Sequence, residues 1–291
     1  MSGFDLVAES ALAGGMEITF PSVADFGLEP TAEALSRGFS DYLVPIQSSP
    51  AILLGMVRGD GVDLNVSRVI VREGEAVGAA LVARRGWTSR LAGMALAPEA
   101  RKQGVGRALM AHLLAEAKAR GERTMVLEVI EQNEAAVKLY AHCGFTKVRR
   151  LTGVSGPTPA DLQNEVVLEE IDPRELAHAV ALHGLPDLPW QISADTLATF
   201  GQPFVAYRGG PSCVLISNPA VSPVTIRAII TEPAARGRGC AAALIRAVMA
   251  RHPVNEWRAA AIFPEEMSAL WAELGLARSA LTQWQMTRGL S

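Results

Sequence analysis

The alternation of apolar and polar positions changes period several times along the chain, and each change marks an element. Residues 16–20 read as a first strand, behind a loose leader over 1–14. A helical spacing follows over 31–43, with Thr31 as its cap, Leu35, Phe39 and Leu43 on one face, and Pro45 as its stop. A shorter helix is predicted over 52–58, ended by Gly59-Asp60-Gly61. Three β-type runs come next, at 66–72, 76–84 and 87–97, with Glu73-Gly74-Glu75 as a hairpin turn. Between about 105 and 120, Leu109 and Leu113, and Met110 and Leu114, recur at intervals of four, which predicts an amphipathic helix. A strand at 124–130, a helix at 134–142 broken by Cys143-Gly144, and a strand at 145–151 complete this half.

Residues 153–159 (GVSGPTP) then read as a Gly/Pro/Ser linker, after which the order of elements repeats. A strand at 166–171 and helices at 173–182 and 193–200, the last capped by Ser193, lead to strands at 204–207, 213–217 and 225–231. A second glycine turn, Arg236 to Ala241, opens a helix to about 251; a strand at 257–262 and a helix at 265–274, broken by Gly275-Leu276, follow. The pattern predicts two domains of one kind in tandem, 1–154 and 155–291, each α/β (α+β).

The candidate chemistry gathers at 93–145. The turn Arg101-Lys102-Gln103-Gly104-Val105-Gly106-Arg107 joins the apolar strand end Met94-Ala95-Leu96 to the helix. Glycines there let backbone amides converge at a helix N-terminus, which suits a phosphate or pyrophosphate. The spacing fits neither a Walker loop nor the Gly-x-Gly-x-x-Gly dinucleotide fingerprint. Arg101-x-x-Gly104-x-Gly106, followed by Asn133-x-x-Ala136-x-x-x-Tyr140 and Gly144-Phe145, resembles the GNAT superfamily of acyl-CoA N-acyltransferases. The resemblance implies two tandem GNAT-type domains, each a mixed, mostly antiparallel sheet with helices on both faces. It implies acetyl-CoA as cofactor, with Met94, Ala95 and Leu96 along its pantetheine arm, residues 101–107 around its pyrophosphate and Asn133 near the arm. Asn133 can equally cap its helix. Tyr140 takes the family's general-acid position, and the bland alternative is a core tyrosine.

For the base, Glu128 on the strand at 124–130 is the best single residue, with Glu131 or a water relay as alternatives. An equally weighted reading makes Glu128 a strand carboxylate that pairs with an arginine or faces water. The family's acceptor pocket would involve Phe39, Asp41 and Tyr42, and the region near Trp87. Aligning Gly144-Phe145 with Gly275-Leu276 puts Trp271, Pro264 and Ala259 at the positions of Tyr140, Asn133 and Glu128. The second half therefore keeps the shape and the turn, Arg236-x-x-Gly239-x-Ala241, but lacks the acid and the base.

Composition narrows the rest. A net charge of -3 gives no nucleic-acid footprint, and no apolar run reaches membrane-spanning length. The N-terminal residues carry no basic region of a secretion signal. The three cysteines, Cys143, Cys213 and Cys240, lack metal-ligand spacing and fit buried thiols in a reducing cytoplasm. The expected activity is acetyl transfer to a primary amine of a small molecule or peptide, by a monomer or homodimer. The alternatives are a non-catalytic acyl-CoA-binding or sensing protein and a repeated scaffold.

Overall fold

The computed structural model describes residues 11–13, 16–44, 46–159, 162 and 166–290. The chain separates into two compact units, Met1–Val129 with Asn133–Lys147 and Met286–Ser291, and Ile130–Gln132 with Val148–Gln285.

The first unit holds β1 (Ala11–Ala13), β2 (Met16–Thr19), α1 (Val23–Phe26), α2 (Leu28–Gly38), α3 (Pro50–Asp60), β3 (Arg68–Arg72), β4 (Glu75–Arg85), β5 (Thr88–Leu96), α4 (Val105–Ala119), β6 (Thr124–Ile130) and α5 (Glu134–His142). The strands lie side by side in chain order. All pairs are antiparallel except β5–β6. The hairpin between β3 and β4 works because Glu73 and Gly74 both take positive φ, at 53° and 84°, the twist a two-residue hairpin needs. Most of the leader at 1–14 lies outside the described residues, though Ala11–Ala13 form β1, paired to β2.

The parallel ladder of β5 and β6 runs only from Thr88↔Thr124 to Leu91↔Leu127. Beyond it, β5 continues against β4 alone, through Gly93, Met94, Ala95 and Leu96. A register shift opposite Leu81 and Val82 marks a bulge there, which bends the strand. The edge of β5 that would have faced β6 is thus left without a ladder at the residues leading into the glycine turn.

Helix α2 corrects the expectation for 31–43. It starts at Leu28 and stops at Gly38, and Thr31 is not its cap but a buried residue whose hydroxyl donates back to the Gly27 carbonyl, 2.6 Å. The stop is steric. A Cβ on Gly38 would stand 2.6 Å from Ala95 Cβ and 3.0 Å from the Leu96 nitrogen, so the helix end lies directly on β5. Phe39, Asp41 and Tyr42 therefore occupy the turn after the helix.

The second unit holds most of β7 (Thr146–Pro157), then β8 (Glu169–Ile171), α6 (Pro173–His183), α7 (Ala194–Leu197), β9 (Val205–Gly209), β10 (Ser212–Ile216), β11 (Val224–Thr231), α8 (Cys240–Arg251), β12 (Glu256–Pro264), α9 (Ser268–Glu273) and most of β13 (Ala277–Gly289). Its strand order is β8-β9-β10-β11-β12-β7-β13, with β11–β12 the parallel pair. As in the first unit, that ladder is short, Val224↔Trp257 to Ile226↔Ala259. The core packs Trp257, Trp271, Phe263 and the apolar face of α8 together.

The predicted linker at 153–159 is largely strand: β7 runs through Pro157. Its glycines serve close approach. A Cβ on Gly153 would come within 2.8 Å of the Ala259 carbonyl oxygen and the Ala261 nitrogen, where β12 shifts register, and one on Gly156 within 3.2 Å of Leu276 Cδ2. The helix expected over 193–200 is instead a 3-10 turn, Trp190–Ile192, and the four residues of α7. Ser193 stands at the cap position, but its hydroxyl donates to the Trp190 carbonyl, 2.7 Å. Strand β13 has no counterpart in the sequence reading. No helix among the described residues is long and apolar enough to cross a membrane.

Candidate functional site

The turn between β5 and α4 leads into a helix start whose backbone amides no side chain caps. Lys102 takes φ 60° and Gly104 the left-handed φ 82°, ψ −8°. Gly104 is the N-cap of α4 with no side chain capping the helix, so the first amides of a 15-residue helix keep their donors. No heavy atom lies within 4 Å of a Cβ built on Gly104, so open space surrounds it. Lys102, Gln103 and Arg107 are exposed around it and Val105 is buried beneath. Gly106 has a different task. A Cβ there would meet Leu139 Cδ2 and Met94 Cε at 3.3 Å and Leu96 Cδ1 at 3.4 Å, so its absence lets α4 settle against β5 and α5.

Arg101 is a clamp. Its Nε donates to the Leu96 carbonyl at 2.9 Å and Nη2 to the Gly38 carbonyl at 2.9 Å, while Nη1 and Nη2 hold the two oxygens of Asp41 at 2.7 Å each. The end of β5, the end of α2 and the turn carrying Asp41 are joined by one guanidinium. That hydrogen bonding also holds the Asp41 carboxyl below its usual range. Gln103 is engaged too, accepting from Arg72 Nη1 at 2.9 Å and donating to the Glu99 carbonyl at 2.7 Å.

The second unit repeats the clamp. Arg236 Nε donates to the Thr231 carbonyl at 3.1 Å, and Nη2 donates to the carbonyl of His183, the last residue of α6. Gly239, at φ 74°, caps α8 as Gly104 caps α4. The arginine of the shared pattern thus has a structural duty in both halves: it satisfies carbonyls at a strand end and a helix end.

Tyr140 is buried on α5, with its ring 6.0 Å from that of Phe145. Burial, then the neighbouring Tyr42 and Cys143, raise its hydroxyl well above the usual tyrosine range, so the phenol stays protonated. Tyr42 is therefore close enough to be felt, and its ring meets Phe39 at 5.1 Å. Asn133 caps α5, its side-chain oxygen accepting from the Ala136 amide at 3.2 Å. Cys143 has its thiol pushed up by burial, against the pull of Arg288 and Arg107, which keeps it a poor nucleophile.

Glu128 takes the arginine-paired one of its two readings, and Trp87 sits away from the turn. Glu128 is buried on β6 and accepts from Arg90 Nε of β5 at 2.8 Å, the arginine-paired arrangement. Trp87 lies before Thr88, at the other end of β5 from Leu96, about 30 Å of strand away. The Arg123 guanidinium covers its ring at 3.3 Å. The structure thus brings Phe39, Asp41 and Tyr42 to the Leu96–Arg101 end with Tyr140, and leaves Trp87 out. Arg90 was not legible as Glu128's partner: the two are 38 positions apart and meet only through the parallel register of β5 and β6.

Residues 49–145 match the model of the Acetyltransferase (GNAT) family. A curated relative, the [Ribosomal protein bS18]-alanine N-acetyltransferase of Escherichia coli, is 44% identical over 54 residues, 19% of this chain. The match spans 36% of that relative's length. Among solved structures, a tandem GNAT protein from the clavulanic acid biosynthesis pathway is similar over 94% of this chain and 99% of its own, at TM-score 0.65 and 19% identity. A GCN5-related N-acetyltransferase from Sphaerobacter thermophilus is similar over 96% and 97%, at TM-score 0.70 and 17% identity. The fold is that of tandem GNAT proteins, and the glycine turn lies within the stretch that matches the GNAT family model.

Proposed function

We propose that the first unit is an acetyl-CoA-dependent N-acetyltransferase acting on a primary amine, with a peptide α-amine as the leading acceptor, and that the second unit is non-catalytic. The observation that carries this reading is the juxtaposition of Gly104 and the uncapped start of α4 with the ladder-free edge of β5. Converging amides with Lys102 and Arg107 beside them suit a diphosphate, and a strand edge that no neighbouring strand ladders suits an amide-bearing arm. The match of 49–145 to the acetyltransferase family supports it. The relative that acts on an alanine of a ribosomal protein supports a peptide acceptor.

Bound acetyl-CoA supplies an acyl carbon open to attack and a thiolate leaving group. The amine nitrogen bonds to that carbon, the carbon–sulfur bond breaks, and the ammonium proton is lost to solvent. Tyr140, kept protonated by burial, donates a hydrogen bond to the departing sulfur. Its raised affinity for the proton makes complete transfer to a thiolate of ordinary basicity uphill, so stabilisation by the hydrogen bond is its main contribution. Glu128, occupied by Arg90, orders the base of the β5–β6 fork, and the ammonium proton leaves by a water relay. In the second unit, Pro264 and Ala259 carry no polar side chain, and the indole N–H of Trp271 lies buried in the hydrophobic core against Phe263.

The test is release of free thiol from acetyl-CoA in the presence of an alanine-initiated peptide and of simple primary amines, with Tyr140→Phe as control. Turnover that falls at least tenfold in the variant supports the reading. Tight acetyl-CoA binding with no turnover on any amine would favour the sensing alternative.

A further inference from the structure

The second unit contains a cavity of about 360 Å³ at the position where its parallel ladder ends. Its walls come from the end of β11 (Ile229, Ile230), the start of α8 (Ala241), the end of β12 (Pro264) and α9 (Leu270). In the pattern shared by the two halves, Ile229 and Ile230 stand where Met94 and Ala95 stand, Ala241 at Gly106 and Pro264 at Asn133. The lining is aliphatic or aromatic almost throughout. Its polar side chains are Thr231, Arg236 and Glu266. Several lining residues, Ile229, Met267 and Leu270 among them, pack on the core yet remain only partly buried, so they present apolar surface to the space.

Two features at one end favour a negative charge. Arg236 lines the cavity, and its hydrogen bonds go to carbonyls only; unlike Arg101, it makes no ion pair among the described residues. The 12-residue helix α8 starts beside it at Gly239 with no side-chain cap. Glu266, exposed, belongs to the separate wall that follows β12. An apolar chamber suits an aliphatic body.

We propose that the second unit carries a non-catalytic site for an aliphatic carboxylate, its chain in the β11–β12 fork and its head at Arg236 and the first turn of α8. The site is distinct from the acetyl-CoA site assigned to the first unit and stands or falls separately from it. The same chemistry, an aliphatic chain on an anionic carrier, is present in a long-chain acyl thioester of coenzyme A, and the experiment separates the two.

Calorimetric titration of the full chain with decanoate tests it, at concentrations below micelle formation. The expected result is one decanoate per chain, unchanged in affinity by saturating coenzyme A and unchanged in Gly104→Glu. Leu185, which lines the cavity and is 46% exposed, can be changed without disturbing the core. Leu185→Asp should weaken decanoate at least tenfold with the melting temperature preserved, and Met267→Trp, which fills the chamber, should do the same. Absence of decanoate binding, or affinity indifferent to both substitutions, would overturn the proposal. So would displacement of decanoate by coenzyme A alone, because the cavity would then be a cofactor cleft.

Discussion

Arg101 holds both carboxylate oxygens of Asp41 at 2.7 Å while the same guanidinium satisfies the carbonyls of Gly38 and Leu96. The second unit keeps the carbonyl clamp through Arg236 with no acid beside it. The carbonyl bonds are therefore the conserved part of the arrangement within this chain, and the ion pair is an addition. Arg101→Ala should cost about 2 kcal/mol, roughly 1 for each carbonyl left without its donor. Asp41→Ala, at an exposed pair, should leave the melting temperature nearly unchanged. Thermal unfolding of the two variants checks the contrast; equal losses would contradict it.

Gly38 meets β5 at the residues assigned to the cofactor arm. The 2.6 Å approach to Ala95 Cβ involves no flexible side-chain end that could move aside. Gly38→Ala should therefore displace the backbone of β5, costing about 1–3 kcal/mol and weakening acetyl-CoA more than tenfold. A melting curve and a binding isotherm on one preparation measure both effects. A stable variant with unchanged affinity would show that β5 is not the arm's partner.

Much of this arrangement was readable beforehand, and the gaps have physical causes. The strand at 124–130 and the helix at 134–142 match β6 and α5 because period-2 and period-3.6 patterns there are bounded by turn residues. The glycine turn and the capping by Asn133 were legible for the same local reason. Residues 153–159 misled because glycines that permit close approach look the same in sequence as glycines of a linker, and only the neighbouring β12 tells them apart. Arg101 read as phosphate charge because its true partners, Gly38 and Asp41, are some 60 positions away. Trp87 fell out of the site because strand direction, not sequence distance, puts it at the far end of β5.

Tyr140 and Glu128 should separate in kinetics. Tyr140→Phe removes the donor to the leaving sulfur and should lower kcat by about 10- to 100-fold, with little change in acetyl-CoA affinity. Because burial raises its proton affinity, kcat should show no alkaline decline from Tyr140 below pH of about 10. Glu128→Gln keeps a polar partner for Arg90 and should lower kcat less than tenfold if a water relay removes the ammonium proton. A larger loss that is confined to low pH would make Glu128 the base.

Glu116 sets an acid limit on the first unit. Burial alone would raise its carboxyl, but the His112 ring, 3.4 Å away, and the hydrogen bonds from Arg68 outweigh that and bring it down to about 2. Arg68 Nη2 stands 2.5 Å from the carboxylate. A folded-state value below the unfolded one means that the stabilisation is complete above the unfolded value, near 4.3, and is lost as pH falls toward 2. Allowing for partial exposure, it is worth about 1–2 kcal/mol. Wild type should lose melting temperature between about pH 5 and 2 more steeply than Glu116→Gln; parallel curves would contradict the assignment.

The central claim is that the first unit holds one acetyl-CoA at the Gly104 turn. Gly104→Glu tests it directly, because the substitution puts a carboxylate among the α4 amides and strains a backbone at φ 82°. Calorimetric titration of wild type with acetyl-CoA should give one site per chain, and Gly104→Glu should abolish it while the fold melts cooperatively. An unchanged isotherm in the variant, or no binding to wild type, would contradict the account.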